Sequence, residues 1–215
     1  MKIASLVAAS FIASFPVAAL GQATDGSPPP GTEVGRTSPG APAVPTMKIE
    51  KSGGYFGFSL GTGKGTLTSG SSSVSLNDLL GASGQSPTTL ALQLRGGWGS
   101  GDFLFGTQMN LTRSWVDSGN TTFGLQFLAV DAVVTWWSQD SGFYTRLGLG
   151  PSQVSAFGGG SASTAAQGVE LMAGLGVTMG SLGVGIDVSR QSYKASEAGF
   201  DSVTFVLASL SLDFY

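Results

Sequence analysis

Apolar residues occupy every second position in eight segments of this chain, and this alternation restricts the fold more than any other feature. It is clearest in two segments near the C-terminus, joined by a turn at Gly180 and Ser181. The apolar positions of this pair are Val169, Leu171, Ala173, Leu175 and Val177, then Leu182, Val184, Ile186 and Val188. Because successive side chains of a β-strand point to opposite faces, each segment predicts a strand with one apolar and one polar face.

Two kinds of closed barrel have this alternation: a transmembrane barrel with its apolar face towards lipid, and a soluble barrel of lipocalin type. Charged residues make up 11% of the chain, against about 25% in ordinary soluble domains. The polar faces consist mainly of Gly, Ser, Thr and Gln, which would make an unusual surface for bulk water. Composition therefore favours the membrane barrel over the lipocalin-like alternative.

The N-terminus has the features of a secretory signal peptide. Lys2 precedes an apolar run from Ile3 to Leu20, and small residues follow at Gly21 and Ala23. We expect cleavage after Ala23, with Gly21 as the alternative, so residues 1–23 form the signal. A membrane-spanning helix is the less favoured interpretation, because the run is interrupted by proline and serine and leads into a proline-rich stretch.

Residues 24–52 are rich in Pro, Gly, Thr and Ala and predict an extended periplasmic linker. Its expected role is that of a spacer, and docking to another envelope component is the alternative. The barrel then occupies residues 53–215.

Connections between the predicted strands alternate between tight turns and longer polar loops. We therefore expect an all-β, eight-stranded antiparallel transmembrane β-barrel in the bacterial outer membrane, with the long loops outside and both termini in the periplasm. Two local features stand out. In the fourth segment the apolar residues shift from odd-numbered to even-numbered positions, which predicts a bulge near Phe127. Pro151 is expected to end the fifth strand.

Aromatic residues lie near the predicted strand ends, where two girdles at the membrane interfaces are expected. The periplasmic set is Tyr55, Phe56, Trp98, Phe103, Trp136, Trp137, Phe143 and Phe214, and the outer set is Trp115 and Tyr193.

The architecture, with the terminal residues Leu212, Asp213, Phe214 and Tyr215, resembles the small eight-stranded outer-membrane proteins of Gram-negative bacteria, the group of the OmpA membrane domain, OmpX and OmpW. The terminal strand is similar to the signal that the barrel-assembly machinery recognises. The resemblance implies two partners, this machinery during biogenesis and outer-membrane lipid afterwards.

Charged residues on the polar faces predict an interior network, in which Arg95 and Arg146 face Asp131, Glu170 and Asp187. Buried charges must be paired or hydrated, and the resemblance implies internal ion pairs of this kind. Structural neutralisation is the favoured role. A gated polar pathway is the alternative, for which five inward glycines would leave space: Gly148, Gly174, Gly176, Gly183 and Gly185.

The first long loop contains an apolar group in a serine-rich segment, formed by Val74, Leu76, Leu79 and Leu80. Packing onto the barrel mouth is the simpler expectation. The alternative is a contact site for another envelope protein, a polysaccharide or a host molecule.

Catalysis is not expected, because the sequence contains no His and no Cys, the residues that most acid–base and nucleophilic sites use. We likewise expect no cofactor and no metal site. Without Lys2, nine basic residues remain against 13 acidic ones, which argues against a nucleic-acid partner. The sequence thus predicts a non-enzymatic envelope protein with a structural or interaction role, with a narrow channel or transporter as the alternative and assembly through the linker as a third hypothesis.

Overall fold

A computed structural model describes residues 53–81, 86–119, 121–138, 140–158, 161–162 and 165–215. The predicted signal peptide and linker lie outside the described residues. The ten strands are β1 (Gly53–Ser69), β2 (Ser72–Ser75), β3 (Thr88–Ser100), β4 (Phe103–Ser118), β5 (Thr121–Trp137), β6 (Phe143–Gly158), β7 (Ser161–Ala162), β8 (Ala166–Met179), β9 (Leu182–Tyr193) and β10 (Ser202–Phe214).

Eight long strands form one antiparallel sheet in the order β10-β9-β8-β6-β5-β4-β3-β1, and pairing of β10 with β1 closes it into a barrel. The closing ladder extends from Phe56 opposite Phe214 to Thr68 opposite Ser202. Strands β2 and β7 are short additions that pair with β1 and β6. The prediction of an eight-stranded antiparallel barrel is confirmed.

The two ends of the barrel differ. At the end named here the turn end, short turns join β3 to β4, β5 to β6 and β8 to β9, and the first and last strands begin and finish there. The opposite, loop end contains β2, β7 and two short helices, α1 (Leu76–Leu80) and α2 (Ala195–Ala198). Neither of these helices, within the described part of the chain, is long and apolar enough to cross a membrane.

The outer surface is apolar across the middle of the barrel. Leu147, Leu171 and Leu210 are all more than half exposed, although such side chains are normally buried. In β4 the outward residues from Phe103 to Leu111, of which only Thr107 is polar, cover roughly 20 Å of barrel height for a tilted strand. A surface of this kind suits the hydrocarbon core of a bilayer.

The predicted bulge near Phe127 is wrong. Residues of β5 pair with β4 in one unbroken register, from Phe103 opposite Trp136 to Ser118 opposite Thr121. Phe127 points into the barrel, where it is fully buried and packs edge-on against Phe205 with ring centroids 4.9 Å apart. The apolar residues of β5 therefore shift from one parity to the other because the barrel interior itself becomes apolar towards the loop end.

The prediction that Pro151 ends a strand is also wrong, because β6 continues to Gly158. Pro151 faces outward and keeps its place opposite Val169 of β8. Pairing with β5 is interrupted on the other side, between Ala129 opposite Ser152 and Ala132 opposite Leu149. Because proline has no N–H, a short part of the ladder with β5 is lost. The ladder with β8 continues through Pro151 and holds the strand in place.

Candidate functional site

The barrel interior has three layers, and the layer nearest the turn end is aromatic. Trp137 stacks on Tyr144 at 5.7 Å between ring centroids, and Tyr215 contacts the rings of Tyr55 and Trp137 at 6.1 Å each. Tyr55 and Trp137 were expected in the outward girdle but are buried inside the barrel. The outward positions at this level belong to Phe56, Trp98, Phe103, Trp136, Phe143 and Phe214.

The middle layer is polar and contains a tight ion pair between Arg95 and Asp213. Both Nε and Nη2 of Arg95 lie 2.8 Å from Oδ1 of Asp213, and Nη1 donates to Oγ of Ser59 at 3.2 Å. Sequence reasoning overlooked Asp213, because this residue was interpreted only as part of the terminal strand signal. The sequence clue was its position between the outward residues Leu212 and Phe214, because alternation then points Asp213 into the barrel.

A second arginine occupies a corresponding position across the barrel. Nη1 of Arg146 donates to Oε1 of Gln108 at 3.1 Å and lies 3.9 Å from Oδ1 of Asp187. Asp187 also accepts hydrogen bonds from Ser209 at 3.0 Å and Gln93 at 3.3 Å. The pairing of Arg146 with Asp187 is therefore looser than that of Arg95 with Asp213.

Both ion pairs use the same construction. Arg95, Gly57 and Asp213 lie side by side on β3, β1 and β10, so the guanidinium reaches its carboxylate across a residue without a side chain. Arg146, Gly174 and Asp187 repeat this on β6, β8 and β9. A Cβ atom on either glycine would lie 2.1 Å or 2.2 Å from the carboxylate of its row.

Asp131 and Glu170 form a separate group without an arginine. Nδ2 of Asn110 donates to Oδ2 of Asp131 at 2.6 Å and to Oε1 of Glu170 at 2.8 Å. Gln191 donates to Glu170, and the hydroxyl of Tyr193 donates to Gln191. All five residues of the predicted network are thus buried in one layer, but they divide between an ionic group and an amide-bridged carboxyl group.

Neighbouring side chains occupy the space beside each of the five inward glycines that the sequence singled out. The hydroxyl of Tyr144 lies over Gly176 and Gly185, and Oγ of Ser211 lies beside Gly183. Gly148 is enclosed by Met172, Asp131 and Val133. These glycines therefore admit large neighbours into a narrow barrel.

The layer at the loop end is apolar and includes Leu76 of α1. Leu76 is fully buried, and its side chain occupies the place where a Cβ on Gly65 would be, beside Phe205. Ser75 caps the helix by accepting a hydrogen bond from N–H of Asn77 at 3.1 Å. The rest of this cluster is Leu67, Ala91, Phe127, Val154, Ala166, Tyr193, Phe200, Val203, Phe205 and Leu207. Tyr193, expected in the outer girdle, is therefore an interior residue.

The four apolar residues predicted for the first loop have different environments. Leu76 is buried in the barrel mouth and Leu80 is half-buried, whereas Val74 and Leu79 are 40% and 47% exposed. Val74 and Leu79 border a surface depression of about 260 Å³, which Leu67 and Phe200 also line. Among the described residues, no cluster of three acidic side chains is placed to hold a metal ion.

No protein-family model and no curated protein matches this sequence. Solved structures do match the fold. Ail, the attachment invasion locus protein of Yersinia pestis, solved with the heparin analogue sucrose octasulfate, aligns with a TM-score of 0.54 at 12% identity over 75% of this chain and 99% of its own.

Two other solved structures align less closely. Neisserial surface protein A aligns with a TM-score of 0.48 at 16% identity, over 76% of this chain and 98% of its own. The outer-membrane enzyme PagL aligns with a TM-score of 0.43 at 13% identity, over 73% of this chain and 98% of its own. The chain has the fold of the small eight-stranded outer-membrane barrels, as its resemblance to that group predicted.

Proposed function

We propose that this protein is a non-enzymatic barrel of the bacterial outer membrane with a structural or interaction role in the cell envelope. The observation that supports this role is the filled interior. An aromatic layer, a hydrogen-bonded polar layer and an apolar layer follow one another from the turn end to the loop end. Since side chains fill a barrel of eight strands, open conduction is not expected.

In this proposal the loop end faces the cell exterior and both chain termini face the periplasm. Short turns at one end and longer connections at the other are typical of outer-membrane barrels in that orientation. Outer-membrane lipid then surrounds the apolar band, and the barrel-assembly machinery inserts the chain through its last strand. No nucleic-acid partner is part of the proposal.

The first test is gel mobility of the outer-membrane fraction, compared with and without boiling in detergent. We expect a faster band in the unboiled sample, because a closed barrel keeps its compact shape until it is heated. A single unshifted band from a soluble fraction would contradict membrane insertion and would instead support a lipocalin-like protein with a bound small molecule.

A narrow channel or transporter for small solutes is the second candidate, since the middle layer is polar. Conductance in planar bilayers separates the two functions. We expect the purified protein to give no more current steps than protein-free detergent. Regular single-channel steps would instead support the channel.

The exposed residues Val74 and Leu79 are the proposed contact site for another envelope protein, a polysaccharide or a host molecule. A photo-crosslinking residue at position 79 should give a defined adduct in intact cells, whereas the lipid-facing position 147 serves as the control. Assembly through the linker is tested separately, by co-purification with and without residues 24–52. Loss of a co-purifying protein on that deletion alone would favour a trans-envelope assembly.

A further inference from the structure

A ring of polar residues follows the apolar band at the loop end. On each long strand, the outward apolar series gives way here to a polar outward residue. We call this set the outer polar ring, and its members are Lys64, Thr88, Arg113, Gln126, Gln153, Gln167, Arg190 and Thr204. Arg113 comes directly after Leu111 in the outward series of its strand, and Arg190 directly after Val188.

The cations of this ring lie on one side of the barrel. Strands β9, β10, β1, β3 and β4 are consecutive neighbours in the sheet. They contribute Arg190, Lys64 and Arg113, named here the basic arc, with Thr88 and Thr204 between them. Arg190 is opposite Thr204 and Lys64 is opposite Val206, so these two cations flank β10. The remaining strands contribute only glutamines.

None of the three cations forms an ion pair with a described residue. The ion pairs in the described part of the chain belong to Arg95, Arg146 and Lys194. The guanidinium of Arg113 lies 4.5 Å from the ring centroid of Phe157, and that of Arg190 donates to Ser202 at 3.3 Å. The basic arc therefore holds positive charge that no ion pair within the described residues neutralises.

Within the described residues, the opposite rim of the apolar band has no such cations. Asp102 and Asp140 are the exposed charged residues of the described turns at the turn end. Among the described residues, the exposed cations lie at the loop end, where Asp78, Asp117, Glu197 and Asp201 are exposed as well, whereas the turn end has only carboxylates.

We propose that the basic arc binds the phosphate groups of an anionic lipid in the leaflet that surrounds the loop end. Lys and Arg side chains extend from a lipid-facing surface to the headgroup level, where each cation favours anionic lipid and arginine pairs well with phosphate. Acyl chains of the same lipid would lie against Leu60, Leu111 and Val188 below the arc. This inference depends on the proposed outer-membrane placement, with the loop end outward.

The test uses the full-length mature protein in octyl glucoside micelles, with fluorescently labelled bisphosphorylated lipid A as the probe. The variants are Lys64→Gln, Arg113→Gln, Arg190→Gln and the triple change, and anisotropy reports binding. We expect each single change to weaken binding about fivefold and the triple change to weaken it more than about thirtyfold. Dephosphorylated lipid A should bind the native protein as weakly as the triple variant binds the phosphorylated probe.

Lys194→Gln is the matched control, because it removes one positive charge at the same end from a residue already paired with Glu197. Its affinity should equal that of the native protein. The proposal would be overturned if all arc variants bound lipid A as tightly as the native protein. It would also be overturned if Lys194→Gln lost as much affinity as the single arc variants. Displacement of the probe by millimolar inorganic phosphate would overturn the lipid assignment and indicate a site for soluble anions.

The boiled and unboiled mobility of every variant verifies the folded barrel independently of lipid binding. If the native protein shows no shift, the proposed function itself fails. If it shows the shift but the arc variants bind lipid A normally, only this inference fails.

Discussion

At the scale of single residues, the glycines of the two arginine–glycine–aspartate rows are as specific as the charges. Gly57 and Gly174 leave room for a guanidinium and a carboxylate to meet across an intervening strand. A methyl group at either position would displace the carboxylate from its partner. A buried charge that loses its partner destabilises the folded state.

We expect Gly57→Ala to lower the temperature at which the unboiled gel band converts to the boiled position. Breaking a buried pair costs roughly 3–5 kcal/mol. Gly54→Ala is the matched control, because it lies three residues earlier on the same strand and a Cβ there meets nothing within 4 Å. Equal transition temperatures for the two variants would contradict the packing described for Gly57.

The two interior arginines should differ in their contribution to stability. Arg95 contacts its carboxylate at 2.8 Å, whereas Arg146 is 3.9 Å from the nearest oxygen of Asp187. We therefore expect both Arg95→Met and Arg146→Met to lower the thermal transition, with the larger decrease for Arg95→Met. The double variant Arg95→Met with Asp213→Asn should recover part of the loss, because it removes the unpaired carboxylate. Unchanged transitions for both single variants would indicate that the pairs contribute nothing to stability.

At the scale of secondary-structure elements, α1 is anchored to the barrel mainly by the side chain of Leu76, which packs beside Gly65. Leu76 fits where Gly65 has no Cβ, so the helix and strand β1 are complementary at this point. The rest of α1 offers little anchoring, since Leu79 is exposed and Leu80 only half-buried. Truncating Leu76 or adding a side chain at position 65 should therefore release the same segment.

We expect Leu76→Ala and Gly65→Ala each to increase proteolysis between residues 72 and 81, while the barrel retains its heat-dependent mobility. A cavity at a fully buried leucine costs about 2–5 kcal/mol. The double variant should be little worse than either single one, because both remove the same contact. Leu79→Ala, in the same helix, is the control and should leave the proteolysis rate unchanged. Additive effects would show that the two residues act independently.

At the scale of the whole molecule, the barrel closes within residues 53–215. Strand β1 begins at Gly53 and pairs with β3 and β10 on its two sides, so the first described strand is also a closing strand. Closure removes the free edges that an open sheet would present to lipid. The barrel therefore needs no strand from the preceding linker.

We expect a chain that keeps the signal but lacks residues 24–52 to insert and to show the same boiled and unboiled bands as the full-length protein. Its thermal transition should be unchanged, because pairing of β10 with β1 already closes the sheet. A lowered transition would show that the linker packs against the barrel, and loss of insertion would show a role in biogenesis.

Alternation determined the strands and their two faces, because a period of two separates those faces without knowledge of any partner. The low charge content and the alternating loop lengths then indicated a closed barrel with its apolar face outward. Alternation also placed Arg95, Asp131, Arg146, Glu170 and Asp187 on the inner face. Alternation does not tell which side of the wall an apolar residue faces when the interior is apolar too. For that reason Phe127, Tyr55 and Trp137 were assigned to the wrong features.

Only the tertiary structure decided which interior groups meet. The pairing of Arg95 with Asp213 depends on barrel closure, since it joins strands 118 positions apart in the sequence. The insertion of Leu76 likewise depends on the register that brings α1 over Gly65. Residues on one inner face contact partners across the barrel, and those contacts are fixed by strand stagger and side-chain volume, which no local pattern in the sequence encodes.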